Sequence, residues 1–372
     1  MTGLIKKVII ILCAMFLMSL PVSVKAEIKI IETESSYIMG DNDSKIDARR
    51  IATQEAKRKA LEMAGAFMES LTEVKNMALA KDEIKAYTAG VVETDIISED
   101  MKGTSAHPEI FIRARCKIDT SVLIGHINSF RKNEDLKEQL NSALKENESL
   151  KKERDSLTSK LSTEKDKSKA EDIRMKLGNV LAKEEANDEI KKVWGNLAQR
   201  LSSEDAKKDI KEMNQKELDE ASAVLKKAVK INPENTRAHM LLALIYHKKG
   251  DIAGAEKQIR TAIATNPDNP LFHMRLGLFL KDNGKYTEAL REFNTVERLR
   301  PNKPDLLFHT GMTYKALNNC SETVSYLKRF LVITKRNEGP LAGMKAEAIK
   351  ALKECRGEGK KKPVEKRPFR QK

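Results

Sequence analysis

His239 and His273 stand 34 residues apart, a repeated pair of side chains suited to metal ligation or proton transfer. A metal or general-base site would need a cysteine, carboxylate or further histidine placed in step with them. None recurs in that register, so both histidines are expected to pack in a core. The cysteines are equally uninviting for chemistry. Beyond Cys13, which lies in an N-terminal apolar run, Cys116, Cys320 and Cys355 are widely separated and follow no metal-ligand pattern. They are expected as small buried hydrophobes, with a Cys320–Cys355 bridge as the alternative in an oxidising compartment. No Ser-His-Asp or Cys-His signature, phosphate-binding loop or HExxH pair is recognisable. No catalytic residue, cofactor site or metal site is therefore expected, and the chain reads as a non-enzymatic protein.

The same 34-residue spacing governs much more than the histidines. Asn232-Pro233, Asn266-Pro267 and Arg300-Pro301 are in step, as are Gly250, Gly284 and Asn318. Leu242-Ala243 with Tyr246, Leu276-Gly277 with Leu280, and Gly311 with Tyr314 recur between them, each followed by a second apolar-periodic segment. Proline disfavours helix at the residue before it, and glycine supplies left-handed backbone between paired helices. A helix pair of this size cannot bury its own apolar face, so neighbouring pairs must stack into a solenoid.

The pattern resembles the tetratricopeptide repeat family. The copies 236–269 and 270–303 match its consensus throughout, with Ala255, Ile259, Ala262 and Ala289, Phe293, Val296 in their second helices. The copy 304–337 keeps Leu307, Gly311, Tyr314 and Leu327 but has Thr323 for alanine and Lys335 for proline. Residues 216–231 resemble a second repeat helix whose first helix is degenerate. The resemblance implies protein binding on an inner face built from the first helix of each pair. It places Met240, Leu244 and His247, then Met274, Leu278 and Lys281, then Phe308, Met312 and Lys315 along that peptide-binding groove. Apolar residues replace the family's carboxylate clamp. A Met-rich strip with a basic edge suits an amphipathic helix or extended peptide carrying acidic residues. The alternative is that the helix 341–355, or another protomer, covers part of the strip.

The elements ahead of the repeats must carry this array to its place of work. Lys6-Lys7 precede an apolar run from Val8 to about Leu20, and Val24-Lys25-Ala26 ends in residues that suit a signal peptidase. A signal peptide cleaved after Ala26 is expected, with an uncleaved anchor as the alternative; the mature protein would be periplasmic or otherwise in the cell envelope. Residues 27–125 read as an α+β head. Ile28 to Met39 suggest a strand, and Asp43 or Ser44 caps a helix bearing Ala48, Ala52, Ala56, Ala60 and Ala64 at unbroken four-residue spacing. A short helix ends at Gly90, and strands over 91–97 and 110–118 close the domain, with Ile110, Ile112, Ala114, Cys116 and Ile118 alternating inward. The run Ala48 to Gly65, then Thr88 to Gly90 and the two strands, resembles the N-terminal domain of the flagellar assembly protein T family and related envelope lipoproteins. That resemblance implies a part in assembling or bracing an envelope structure.

Residues 131–170 contain no glycine, proline or aromatic residue. Leu136, Ala143, Leu150 and Leu157 fall seven apart, with Leu140 and Leu161 at the partner position beside Asn133, Asn147 and Arg154, the pattern of a coiled coil (126–170) that would pair protomers as a homodimer. A single solvated helix is the alternative. A helical linker (171–218), in which Trp194 is expected to anchor a helix packed against the first repeat rather than to stack on a ligand, leads to the array (219–356), and a basic tail (357–372) ends the chain. For an exported protein that tail suits an anionic surface better than nucleic acid, or serves only solubility. The whole chain of 372 residues has a net charge of +14, 33% charged and 5% aromatic residues, a composition of long helices over modest cores. The expected fold is an α+β domain with a small sheet and a packed Ala-rich helix, a coiled-coil linker and an all-α solenoid. The expected function is an exported scaffold or adaptor holding segments of other envelope proteins. The alternative is an assembly component, of flagellar type, acting through head and coil.

Overall fold

The computed structural model describes residues 28–71, 81–104, 108–132, 134–201, 214–335 and 341–356. The expected signal peptide and basic tail lie outside them. Two compact units divide the chain near Ile210. Among the described residues no helix is long and apolar enough to cross a membrane.

The first unit opens with β1 (Ile28–Ile38), α1 (Lys45–Ser70), α2 (Lys81–Val91), β2 (Thr94–Gly103) and β3 (Pro108–Asp119). The sheet is antiparallel in the order β1-β3-β2, with Ile31 opposite Cys116 and Ile96 opposite Ala114. Period-two alternation turns Ile110, Ile112, Ala114, Cys116 and Ile118 inward, all at most 1% exposed. Against them lies α1, whose alanines at 48, 52, 56, 60 and 64 are fully buried. With only methyl groups between helix and sheet, the approach is close enough for Thr33 to donate to the Ala56 carbonyl at 2.9 Å. Ser44 caps α1, accepting from the Asp47 amide at 3.0 Å. The strand expected at residue 91 starts later, because Val91 still belongs to α2.

Three further helices complete this unit: α3 (Thr120–Lys132), α4 (Glu134–Thr163) and α5 (Lys167–Leu201). Here the heptad reading needs correction. Its seam residues are buried within the chain: α4 folds back antiparallel on α5, and Leu150, Leu157 and Leu161 pack with Ile51 of α1 and Leu177, Val180 and Leu181 of α5. The polar seam residues Asn147 and Arg154 are also satisfied at home, and Asn133 lies outside the described residues. Asn187 donates to Asn147 at 2.8 Å, and Arg154 meets Glu184 at 3.1 Å. The supposed linker beyond residue 170 is therefore the second arm of a hairpin. Asn42, in the turn after β1, donates to the carbonyls of Leu161 and Glu164 at 3.0 and 2.8 Å and pins the hairpin to the head. Trp194 is 1% exposed in α5, in a core as expected.

Among its described residues the second unit has helices as its only regular elements. After α6 (Gln215–Ile231) come three pairs, α7 (Thr236–Lys248) with α8 (Ile252–Thr265), α9 (Pro270–Asp282) with α10 (Tyr286–Leu299), and α11 (Pro304–Ala316) with α12 (Cys320–Ile333); α13 (Ala342–Cys355) closes the set. Gly250, Gly284 and Asn318 take φ of 80°, 77° and 58°, so the in-step turn residues do adopt left-handed backbone. Within each pair a small residue faces a large one. A Cβ on Gly277 would come within 2.5 Å of the Phe293 ring, and one on Gly311 within 2.7 Å of Leu327. The third pair ends at Ile333 without the usual proline; Thr334 is the C-cap, and its hydroxyl donates to the Phe330 carbonyl at 2.7 Å. Thr323, in the alanine position, is buried because its hydroxyl donates to the Asn319 carbonyl at 2.8 Å.

Cys320 and Cys355 form a disulfide that ties the start of α12 to the end of α13 across a separation of 35 residues. Cys116 is a buried free thiol. Closing a loop of that length stabilises a domain by about 3–4 kcal/mol through the unfolded chain. The variant Cys320→Ser with Cys355→Ser is expected to melt earlier than the parent in the repeat unit, and reductant is expected to reproduce the shift in the parent alone. Identical melting curves with and without reductant would contradict this.

Candidate peptide-binding groove

The candidate groove is formed by the first helices of successive pairs, α7, α9 and α11. Their side chains fall into two levels. Met274 and Phe308 are 7% and 5% exposed and belong to the packing between pairs: Met274 joins the cluster of Phe279, Leu290 and Leu306, and Phe308 joins Phe330, Ala351 and Leu352. Met240, Leu244, Leu278 and Met312 stand above them, each half-buried. Met240 and Leu278 rest on the first of these clusters and Met312 on the second. The second cluster includes Ala348, Ala351 and Leu352 of α13, so the strip's last part is shared with the chain's own final helix.

The basic residues expected at the edge differ in their freedom. His247 is exposed and sets its ring edge-on to Phe279 at 5.4 Å, linking the first pair to the second. Lys281 reaches across to the third pair, donating to Nδ1 of His309 at 3.4 Å, with Asp282 at 3.4 Å on its other side. Lys315 is paired with Glu354 of α13 at 2.6 Å. Two participants escaped the sequence reading. Phe279 and His309 have no counterpart at matching positions of the neighbouring copies, so periodicity could not single them out. His309 is held neutral: burial, and then the adjacent Lys281 cation, push its pKa down to about 4.

His239 and His273 are packed, and their surroundings repeat as they do. Nε2 of each ring meets the carbonyl of the preceding turn, Pro233 at 2.9 Å and Pro267 at 2.8 Å. Nδ1 meets a side chain 19 residues on, Gln258 or Glu292, at 2.7 Å in both cases. Each ring thus staples a Pro turn to the second helix of its own pair. Among the described residues no three metal-ligating side chains cluster.

Residues 213–279 match the tetratricopeptide repeat family model. No curated protein matches the chain. Among solved structures, it is similar to MamA of MSR-1 (17% identity, 50% of this chain and 97% of that one, TM-score 0.33). It is also similar to the TPR2B domain of yeast Sti1, in a structure titled as its pHsp70 complex (16%, 33% and 97%, TM-score 0.30). A third is pilF of Pseudomonas aeruginosa (22%, 48% and 74%, TM-score 0.35). The matched residues run from α6 through most of α9.

A buried neutral imidazole makes stability depend on pH. Above the ordinary histidine value of 6.5 the folded and unfolded chains both hold His309 neutral. As pH falls from 6.5 to about 4 the unfolded chain takes up a proton that the folded one refuses, so stability falls across that window. The full effect is on the order of 3 kcal/mol. Denaturant melts at stepped pH are expected to show the slope, and His309→Gln is expected to flatten it; an unchanged slope in that variant would assign the effect elsewhere.

Proposed function

We propose that the chain is an exported, non-enzymatic scaffold whose repeat groove holds an amphipathic, acidic segment of another cell-envelope protein. The observation that supports this reading is the set of half-buried apolar side chains Met240, Leu244, Leu278 and Met312 on three successive first helices, with His247 and Lys281 on the same helices. Thioether and aliphatic side chains seated on a rigid packed layer suit one apolar face of a helix or strand. The basic flank favours acidic residues at the edge of that segment and would steer its approach. Buried Met274 and Phe308 support the strip from beneath.

Export rests on the N-terminal leader pattern. The Cys320–Cys355 bridge supports the same compartment, since disulfides persist where the surroundings are oxidising. The basic C-terminal segment suits contact with anionic headgroups or wall polymers. The order of strand, Ala-rich helix and two strands supports a bracing or assembly role for the head, as in the flagellar assembly protein T family. Pairing of protomers through α4 is not part of the proposal, because its seam is filled by α1 and α5.

A displayed peptide library selected against residues 27–372 is expected to enrich amphipathic sequences with acidic residues. Leu244→Glu with Leu278→Glu, confirmed folded by circular dichroism, is expected to weaken the selected peptides at least about tenfold, the effect of roughly 1.4 kcal/mol. Selected peptides that bind this variant as well as the parent would place recognition outside the groove.

A further inference from the structure

A cavity of about 410 Å3 lies in the first unit among α1, α2, α4 and α5, apart from the groove. That volume is within the range of small-molecule sites. Leu61, Ala89 and Leu144 give it an apolar side, one residue from each of three helices. The rest of the lining is polar or charged, and two of its cations make no direct ion pair. Each of the four acids has a cation: Asp188 has Lys57 at 2.7 Å, Glu184 has Arg154 at 3.1 Å, Glu148 has Lys152 at 3.6 Å, and Glu62 has Arg58. Lys85 of α2 and Lys151 of α4 are left over, for neither makes an ion pair with a described residue. Lys151 acts on Glu55 only at longer range, and that carboxylate is already bound by Arg58.

The setting is rigid. Arg154, 5% exposed in its side chain, is held by Glu184 and Asp155, both at 3.1 Å, with Glu55 at 3.8 Å. A buried ion pair is weak evidence for a contribution to stability, and this network borders a cavity rather than a packed core. Lys85 is exposed, and its stem lies against Gly65 of α1: a Cβ there would sit 3.0 Å from its Cγ and 3.2 Å from its Cα.

We propose that this cavity binds a small amphiphilic organic anion, its acidic head between Lys85 and Lys151 and its apolar body against Leu61, Ala89 and Leu144. The site is independent of the groove and of what the groove binds. A compact inorganic anion would leave the apolar side unused, and an apolar cation would meet two ammonium groups that no carboxylate contacts directly.

The test is a fluorescence titration of residues 27–372 with 8-anilinonaphthalene-1-sulfonate, an aromatic body with one anionic group, followed by competition with decanoate, inorganic phosphate and decyltrimethylammonium. Saturable binding is expected, displaced by decanoate and by neither of the other two. Lys85→Ala with Lys151→Ala is expected to weaken it about tenfold, Lys85→Arg with Lys151→Arg to retain it, and Leu144→Trp to abolish it by filling the space. Leu244→Glu with Leu278→Glu is expected to bind like the parent, which separates this site from the groove. Circular dichroism and melting of each variant check that dye fluorescence reports the native fold. Absence of saturable binding, equal binding by the double-alanine variant, or loss in the groove variant alone would overturn the proposal. If Leu144→Trp fails to fold, the lysine pair still decides.

Discussion

Close approach of backbones, made possible by missing side chains, is the constraint on which both units depend. In the first unit five buried alanines give α1 a flat face on the sheet, and the hairpin then packs on the far side of the same helix. In the second, Gly277 and Gly311 leave room for Phe293 and Leu327, so the two helices of a pair lock by shape. Apolar burial supplies the driving force in each case, and the small residues decide which surfaces can meet. The half-exposed groove strip is a by-product of this arrangement, since inter-pair packing consumes Met274 and Phe308 and leaves their neighbours above the layer.

Much of this could be read from the residues because the repeats announce themselves locally. Proline, glycine and the small-large positions act within one helix pair, so a 34-residue period carries almost the whole local fold. Asn318 at a glycine position kept its left-handed turn because asparagine tolerates that backbone. The helix 215–231 and the alternating strand 108–119 were legible for similar reasons. What failed was partner assignment. The heptad of α4 correctly marked a buried seam, yet periodicity cannot say whether the opposing helix belongs to another chain. The turn at 164–166 that folds α5 back is capped by Glu164 and Asp166, polar residues indistinguishable in composition from the helices around them. The groove was legible in its first layer only. His309 and Phe279 enter through contacts between neighbouring copies, and Gln258 and Glu292 differ in charge although they serve the same ring.

Charge in this chain is arranged more tightly than its net value suggests. Along α1 the lysines and arginines that composition alone would assign to solvent bind acids of the hairpin: Arg50 meets Glu185 at 2.6 Å and Lys57 meets Asp188 at 2.7 Å. Exposed pairs of this sort contribute little energy singly, but they orient α5 on α1.

The disulfide sets a direction on the helical array. A stack of pairs is nearly one-dimensional, so it opens from its ends and each step costs about one interface. At one end α13 is covalently fastened to α12, and its exposed side carries Glu347, Lys350 and Lys353 beside Ile349, which is 45% exposed. At the other end α6 stands as a single helix held by noncovalent packing on α7. Opening therefore starts at α6 and proceeds toward α12. The array behaves as a zipper with a stop at one end, and the pairs nearest the stop are the last to lose their structure.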